Sequence, residues 1–128
     1  MTKYQFSVDV QSTLEAAASA PQEDAYAFSY TVTIRNIGDI AAQLIARHWV
    51  VQDSGGLTRE VRGLGVVGQQ PLLRPGEAFR YTSGCHLHTA SGTMHGSYFC
   101  VAEDGEQFDV PIPPFSLGAG AVTPAVLH

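Results

Sequence analysis

Positive charge is scarce in this sequence and nowhere forms a run. The 128 residues include 7 lysines and arginines against 12 aspartates and glutamates, which gives a formal net charge of −5. Nucleic acids and anionic membranes are bound mainly through clustered lysine and arginine. We therefore expect neither nucleic acid nor a membrane as a partner.

Long apolar runs and cysteine are scarce as well. No segment approaches the roughly 20 apolar residues of a membrane-spanning helix. The start of the sequence, MTKYQFSVDVQ, has no apolar core of the kind that signal peptides carry. A cytoplasmic protein is the expectation that follows. In that reducing compartment the only two cysteines, Cys85 and Cys100, are expected to be free thiols.

Helical periodicity is also missing, and a period of two takes its place. In AYAFSYTVTIRN, residues 25–36, apolar and polar side chains alternate, which is the pattern of a strand with one buried face. The pattern predicts that Thr31 and Thr33 face away from the core. The side chains expected to be buried are Phe28, Tyr30, Val32 and Ile34.

The remaining segments also read as short strands between turn residues. QLIARHWVVQD is apolar on both faces, as a central strand would be, whereas LTREVRG is polar enough for a sheet edge. Glycines in segments 53–56 and 103–105, and Pro75-Gly76, predict turns. Pro111, Pro113 and Pro114 are predicted to stop the last strand and leave the tail extended. LEAAASA, residues 14–20, is too short for a stable helix and is expected to be a strand end or loop.

These patterns predict an all-β fold, an antiparallel β-sandwich of seven or eight strands. Trp49 lies in a strand where an immunoglobulin-like domain would place a core tryptophan. The two cysteines do not flank Trp49 as the inter-sheet disulfide of an antibody domain would. The sequence therefore excludes the antibody type of domain.

One motif has the spacing of a nucleotide-binding fingerprint. Gly63-x-Gly65-x-x-Gly68 matches the glycine pattern of dinucleotide-binding folds, but such folds begin a helix there. Pro71 prevents a regular helix directly after the motif. The dinucleotide-fold interpretation therefore fails.

Two interpretations of this glycine stretch, residues 63–68, remain. The favoured one is that its glycines shape a bulged corner of the sheet. In the alternative, glycine amides form a small anion-binding concavity. Arg62 and Arg74 flank the stretch and would complete a phosphate or carboxylate site.

Three histidines raise the question of a metal site. His86 and His88, in CHLHT, would share one face of an extended segment, and His95 follows seven residues later. Such a set could bind zinc, cobalt or nickel. No His–Cys or His–carboxylate set has the spacing of a known structural site, so solvated loop histidines are favoured and no metal site is predicted.

Catalytic motifs are not recognisable. Ser83, in YTSGC, departs from the G-x-S-x-G nucleophile motif, and the scattered carboxylates form no evident acid–base pair. We predict that the protein is not an enzyme.

Several segments together resemble the ApaG family: FSYTVTIRNIG, QLIARHWVVQDSGG, EVRGLGVVGQQPLLRPGEAFRYTSG, GTMHGSY and the closing VLH. The resemblance runs from about Phe6 to His128, and its most specific parts are GLGVVGQQPLLRPG, residues 63–76, and YTSG. It implies an immunoglobulin-like (fibronectin III-type) β-sandwich and a link to cobalt and magnesium tolerance in bacteria. For Gly63, Gly65 and Gly68 it implies a pyrophosphate-containing nucleotide as ligand. Similar domains in eukaryotic F-box and polymerase-interacting proteins imply protein–protein recognition.

The expected organisation is one ApaG-like domain over residues 1–128, with residues 118–128 as an extended tail. The expected function is that of a non-enzymatic binding or adaptor module with an unidentified protein partner. We expect no cofactor, and a monomer or homodimer. The alternative is a small-ligand protein that binds a pyrophosphate-containing nucleotide or a divalent cation at the glycine stretch.

Overall fold

Eight β-strands build the part of the chain that the computed structural model describes, residues 3–118. The strands are β1 Phe6–Leu14, β2 Tyr26–Asn36, β3 Ala42–Asp53, β4 Thr58–Leu64, β5 Leu72–Leu73, β6 Ala78–Leu87, β7 Ser91–Ala102 and β8 Gln107–Gly118. Short 3-10 turns at Ala16–Ala18 and Pro21–Glu23 connect β1 to β2. Of the tail predicted over 118–128, Gly118 ends β8, and residues 119–128 lie outside the described residues.

The strands form two antiparallel sheets. One sheet has the order β1-β2-β6, and the other has five strands, with the order β4-β3-β7-β8 and β5 beside β3. The predicted immunoglobulin-like (fibronectin III-type) sandwich is confirmed. The structure also confirms the predicted places of two segments. LTREVRG lies at a sheet edge, because β4 is an edge strand, and QLIARHWVVQD lies inside the sheet, because β3 lies between β4 and β7.

No helix within residues 3–118 is long and apolar enough to cross a membrane.

The core lies between the facing sides of the two sheets. As predicted, the alternating residues of β2 are buried and Thr31 and Thr33 are turned away from the core. Trp49 on β3 is 2% exposed. Its indole packs against the rings of Tyr30, Tyr98 and Phe115 at centroid distances of 5.5, 6.2 and 6.0 Å. One tryptophan thus joins side chains from both sheets.

Two kinds of ionisable group are enclosed in this core. The hydroxyls of Tyr81 and Tyr98 form a buried hydrogen bond of 2.6 Å, and burial raises the pKa of Tyr81 to about 12. Cys85 and Cys100 are buried free thiols. Burial raises the pKa of both thiols, that of Cys100 to about 12, so neither is a ready thiolate near neutral pH.

The last strand corrects one prediction. Pro111, Pro113 and Pro114 do not stop it, because β8 continues through all three to Gly118. Among residues 3–118, β8 is an edge strand that pairs only with β7, and the register between them shifts close to Pro113 and Pro114. Proline has no N–H to donate, which an edge strand or an irregular register tolerates.

A bulge in β3 decides which of its side chains enter the core. The register with β7 shifts between Leu44 and Ala46, so the buried positions change from even to odd numbers, from Leu44 to Trp49 and Val51. One extra residue in a strand reverses the faces of all residues after it. His48 therefore lies on the outer face of the five-stranded sheet.

Candidate functional site

The glycine stretch closes as a tight turn of the main chain. Val66 and Gln69 exchange two hydrogen bonds, of 2.8 and 2.9 Å. The central residues of this turn, Val67 and Gly68, have φ of 43° and 80°, as a type I′ turn requires. The amide of Gly65 donates to the carbonyl of Ile45 at 2.8 Å. The amides of Gly65, Val66 and Gln69 are thus bound to separate carbonyls.

Each glycine of the motif has its own environment. Gly65 has a φ of 64°, and a Cβ added there would collide with the carbonyl oxygen of Gln69. A Cβ on Gly63, at the end of β4, would come within 2.7 Å of the Arg47 guanidinium. Gly68 has a φ of 80° but open space around it. Gly63 and Gly65 therefore allow close packing, and Gly65 and Gly68 allow a left-handed backbone conformation.

Arg47 is a site residue that the sequence reasoning missed. Its Nη1 donates to the carbonyls of Leu64 and Gly65, both at 3.0 Å. A cation bound to carbonyl oxygens holds the start of the loop against β3. The signal in the sequence was an arginine inside the largely apolar stretch LIARHWVV, where a partly buried charge needs a partner.

The two arginines proposed for an anion site each face a carboxylate. Arg62 Nη2 lies 3.3 Å from Glu60 Oε1, and Arg74 Nη1 lies 3.8 Å from Glu77 Oε2. The two side chains are largely exposed. Arg62 lies on β4, whereas Arg74 follows β5. Whether the stretch binds pyrophosphate or another anion stays a prediction.

The three histidines are divided between the two sheets. His86 is in β6, which corrects its placement in a loop, and His88 follows that strand; both are exposed. His95 is in β7 of the other sheet and its Nδ1 is buried without a hydrogen-bond partner, so its placement as a solvated loop histidine is also corrected. Among residues 3–118, no group of three or more His, Cys, Asp or Glu side chains is arranged to hold a metal ion.

A polar cluster lies on the outer face of β3 and β4. His48 Nε2 is 2.8 Å from Glu60 Oε1, and Arg62 pairs with the same oxygen. The hydrogen bond from His48, and then the charge of Arg62, lower the pKa of Glu60. The cluster borders a groove of about 580 Å³. Its lining includes His48, Arg62, Leu64, Ser97, Phe99 and Asp109.

A second groove, of about 660 Å³, lies by the turn between β3 and β4. Among the described residues that line it, Asp53 alone has an ionisable side chain. The Asp53 carboxylate accepts hydrogen bonds from the amides of Gly55 and Leu57, at 2.9 and 3.0 Å. This carboxylate is occupied in shaping the turn, so the groove offers less chemistry than the first.

Exposed apolar side chains are frequent along the chain from residue 57 to residue 72. Strand β4 pairs with β3 on one side, and no described strand pairs with its other side. Six large hydrophobic side chains are exposed among residues 3–118. Ile37 lies between β2 and β3, and the other five lie in β4, in the loops beside it and in β5. The other five, which we name the β4 surface, are Leu57 (69% exposed), Val61 (37%), Leu64 (73%), Val67 (53%) and Leu72 (53%).

Comparisons with known proteins agree on one family. The sequence model of the ApaG domain matches residues 16–102. Protein ApaG of Acidovorax sp. (strain JS42) is 64% identical over 121 residues, which cover 93% of this chain and 88% of that protein. Protein ApaG of Thiobacillus denitrificans is 55% identical over 126 residues, 98% of this chain and 96% of that protein.

A solved structure extends the agreement to three dimensions. The crystal structure of an ApaA protein from Bordetella pertussis superposes with a TM-score of 0.91 at 50% sequence identity, and the match covers 94% of this chain and 98% of that one. Fold, sequence and domain match therefore lead to one conclusion: this chain belongs to the ApaG family.

Proposed function

We propose that this chain is a non-enzymatic binding module that recognises another protein through the β4 surface. The observation that carries the proposal is the coincidence of an unpaired edge strand with five exposed large apolar side chains. An edge strand offers main-chain N–H and C=O groups to a further strand. Clustered apolar side chains at that edge gain stability when a partner removes them from water.

The size of the apolar contribution supports recognition by a protein. Fully burying one leucine or valine side chain stabilises a complex by about 1.5–3 kcal/mol. Leu64 and Leu57 keep roughly seven tenths of their surface exposed in the free chain. Arg59, Glu60 and Arg62 stand between the apolar positions and would give the contact its orientation.

The ionisable groups beside the β4 surface are paired with one another. Glu60 is held by His48 and Arg62, and its lowered pKa keeps it ionised near neutral pH. A carboxylate in that state is not the proton donor that general acid catalysis needs. The tolerance to cobalt and magnesium that the family resemblance implies would then act through the protein partner.

The small-ligand alternative has less support. An anion nest needs several amides that converge on one point. Here the amides of Gly65, Val66 and Gln69 already donate to main-chain carbonyls, and Arg62 and Arg74 already face carboxylates. Isothermal titration with pyrophosphate tests this directly: micromolar affinity at physiological salt would favour the alternative.

Photo-crosslinking tests the proposed function. We expect a benzoylphenylalanine at position 64 to form an adduct with a protein in cells that express the chain, because Leu64 is the most exposed member of the β4 surface. The same probe at Arg80, exposed on the other sheet, serves as the control. A Leu64→Glu substitution should lower the affinity of the captured partner at least tenfold, roughly the value of burying one such side chain. Equal adducts at both positions, or none at position 64, would refute the proposal.

Val67 provides a second test, because its strain and its exposure coincide. It occupies a left-handed conformation, with φ of 43°, at the tip of the turn. That conformation costs a residue with a Cβ about 1–2 kcal/mol. Asparagine tolerates it and is preferred in type I′ turns.

We therefore expect Val67→Asn to raise the free energy of unfolding by about 1 kcal/mol while weakening partner binding. Denaturant unfolding and a binding titration on the same preparation measure both effects. Leu72→Asn is the matched control, since Leu72 is equally exposed but lies in strand β5. It should weaken binding without the gain in stability. A Val67→Asn chain that binds as well as the original would exclude the turn tip from the interface.

A further inference from the structure

We infer that a second copy of this chain occupies β4, with the two β4 strands antiparallel about a two-fold axis at Val61. The inference rests on the proposed function, because it assigns an occupant to the same surface. The five-stranded sheets of two copies would join edge to edge into one continuous sheet. What identifies the occupant is the sequence of β4 itself, TREVRGL.

This sequence is complementary to its own reverse. With Val61 opposite Val61, antiparallel pairing places Glu60 of each copy opposite Arg62 of the other. Opposite charges at directly facing positions stabilise a strand pair, and like charges destabilise it. Symmetry makes this favourable pair occur twice in the dimer.

The side chains also point the right way for this pairing. Within one chain, Glu60 of β4 is opposite Val50 of β3, and Arg62 is opposite His48. Both therefore lie on the outer face of the sheet, and their contact of 3.3 Å agrees with this. A two-fold axis perpendicular to the sheet keeps the outer faces of both copies on the same side. The four charges would form a two-by-two cluster in which each charge has opposite charges as its neighbours along the strand and across it.

The flanking positions of β4 pair Arg59 with Gly63 and Thr58 with Leu64. Arg59 falls opposite Gly63, over which the Arg47 guanidinium of the same chain lies. The Arg59 guanidinium donates to the His86 carbonyl at 3.0 Å, and the pairing requires that it keep this contact, because like charges at facing positions destabilise a strand pair. Thr58 falls opposite the exposed Leu64. Val61, 37% exposed in one chain, meets its own copy, which is an apolar contact at the centre of the interface.

Charge selects this register over its neighbours. Residues directly opposite each other in paired strands must point to the same side of the sheet. The two-fold axis can therefore lie at a residue of β4 but not between two residues. At Glu60 the axis would place two glutamates opposite each other, and at Arg62 it would place two arginines opposite each other. At Arg59 two arginines would again meet. Only the axis at Val61 brings the carboxylate and the guanidinium of β4 together.

The interface predicts a weak dimer. It consists mainly of one strand from each copy, which lies at the small end of specific interfaces, under about 1,200 Å². We therefore expect a monomer–dimer equilibrium in the micromolar range, visible by analytical ultracentrifugation from low micromolar to near-millimolar concentrations.

Charge reversal provides the decisive experiment. Glu60→Arg places arginine opposite arginine, and Arg62→Glu places glutamate opposite glutamate, so each variant alone should dimerise at least about tenfold more weakly than the original. An equimolar mixture of the two variants restores both opposite-charge pairs. Dimer should therefore reappear in the mixture and in the double variant that carries both changes. Circular dichroism shows that each variant is folded.

Cysteine cross-linking checks the register. Val61→Cys places a thiol directly opposite its copy, at the separation of facing residues in antiparallel strands, which a disulfide can bridge. Oxidation should give a covalent dimer. Thr58→Cys is the control, since the two Thr58 positions lie at opposite ends of the paired strands and should not cross-link. The native chain, with buried Cys85 and Cys100, should not cross-link either.

The outcomes separate this inference from the proposed function. A chain that stays monomeric throughout, or a dimer that neither charge reversal weakens, overturns the inference. If position 64 then still crosslinks to a different protein, the proposed function stands without a second copy. If position 64 gives no adduct of any kind, both fall. Recovery of dimer only in the mixture and in the double variant supports the pairing at Val61.

Discussion

Replacing Trp49 with alanine is expected to lower the free energy of unfolding by on the order of 3–5 kcal/mol. The indole is 2% exposed and contacts aromatic rings of Tyr30, Tyr98 and Phe115. Alanine would forfeit the burial of the largest side chain in the core. It would also leave a cavity that the surrounding strands cannot fill, because their backbones are held by the sheet ladders.

Guanidinium unfolding of the variant and of the original chain measures the difference. Leu64→Ala is the control, because Leu64 is 73% exposed and a surface change of this kind stays within about 0.5 kcal/mol. A loss below about 1 kcal/mol for Trp49→Ala would mean that the core relaxes around the missing indole, contrary to the packing described above.

The second large effect is expected at Gly65. Alanine there is expected to destabilise the fold by on the order of 2–4 kcal/mol, the sum of a left-handed conformation for a residue with a Cβ and an overpacked contact. The φ of Gly65 is 64°, and the added Cβ would collide with the Gln69 carbonyl oxygen. Relief of that contact would require the turn between Val66 and Gln69 to open.

Gly68→Ala is the matched comparison. Its φ of 80° is also left-handed, but no atom lies within 4 Å of the added Cβ, so only the conformational cost of about 1 kcal/mol remains. Thermal or denaturant unfolding should show that the Gly65→Ala variant is well below the Gly68→Ala variant in stability. If the glycine stretch is a corner of the sheet, neither change removes any affinity for pyrophosphate. Loss of a measurable pyrophosphate affinity in Gly65→Ala, with little loss of stability, would instead support the anion site.

Local patterns were sufficient for the strands and most turns. The alternation in β2 predicted its buried face because side chains of a strand point to opposite sides in turn. Glycine and proline predicted the turns because each has restricted or unusual backbone preferences. Pro75-Gly76 is such a turn: Glu77 donates to the carbonyl of Arg74 at 2.9 Å, and Gly76 has a φ of 88°.

The faces of β3 could not be assigned from its sequence. QLIARHWVVQD is apolar on both sides, and nothing in it marks the register shift between Leu44 and Ala46. That shift places Trp49 in the core and His48 on the outer face. It also gives Arg47 the position from which it reaches the carbonyls of Leu64 and Gly65.

The prolines of β8 are a second case in which a local pattern was not sufficient. Proline predicts the end of a strand when the strand has neighbours on both sides, because a ladder hydrogen bond is lost. Whether β8 has one neighbour or two depends on the order of strands in the sheet, and that order is not written in the segment. The prediction failed because β8 is an edge strand.

The sequence by itself determined the class of fold, the family, the buried face of β2 and the place of LTREVRG at an edge. Each of these depends on residues that are close in the chain or on a pattern that extends along it. Only the tertiary structure decided that Glu60 meets His48 and that Arg47 holds the loop. Those contacts join distant segments through the register of the sheet, which is set by hydrogen bonds and packing across strands and by no single segment alone.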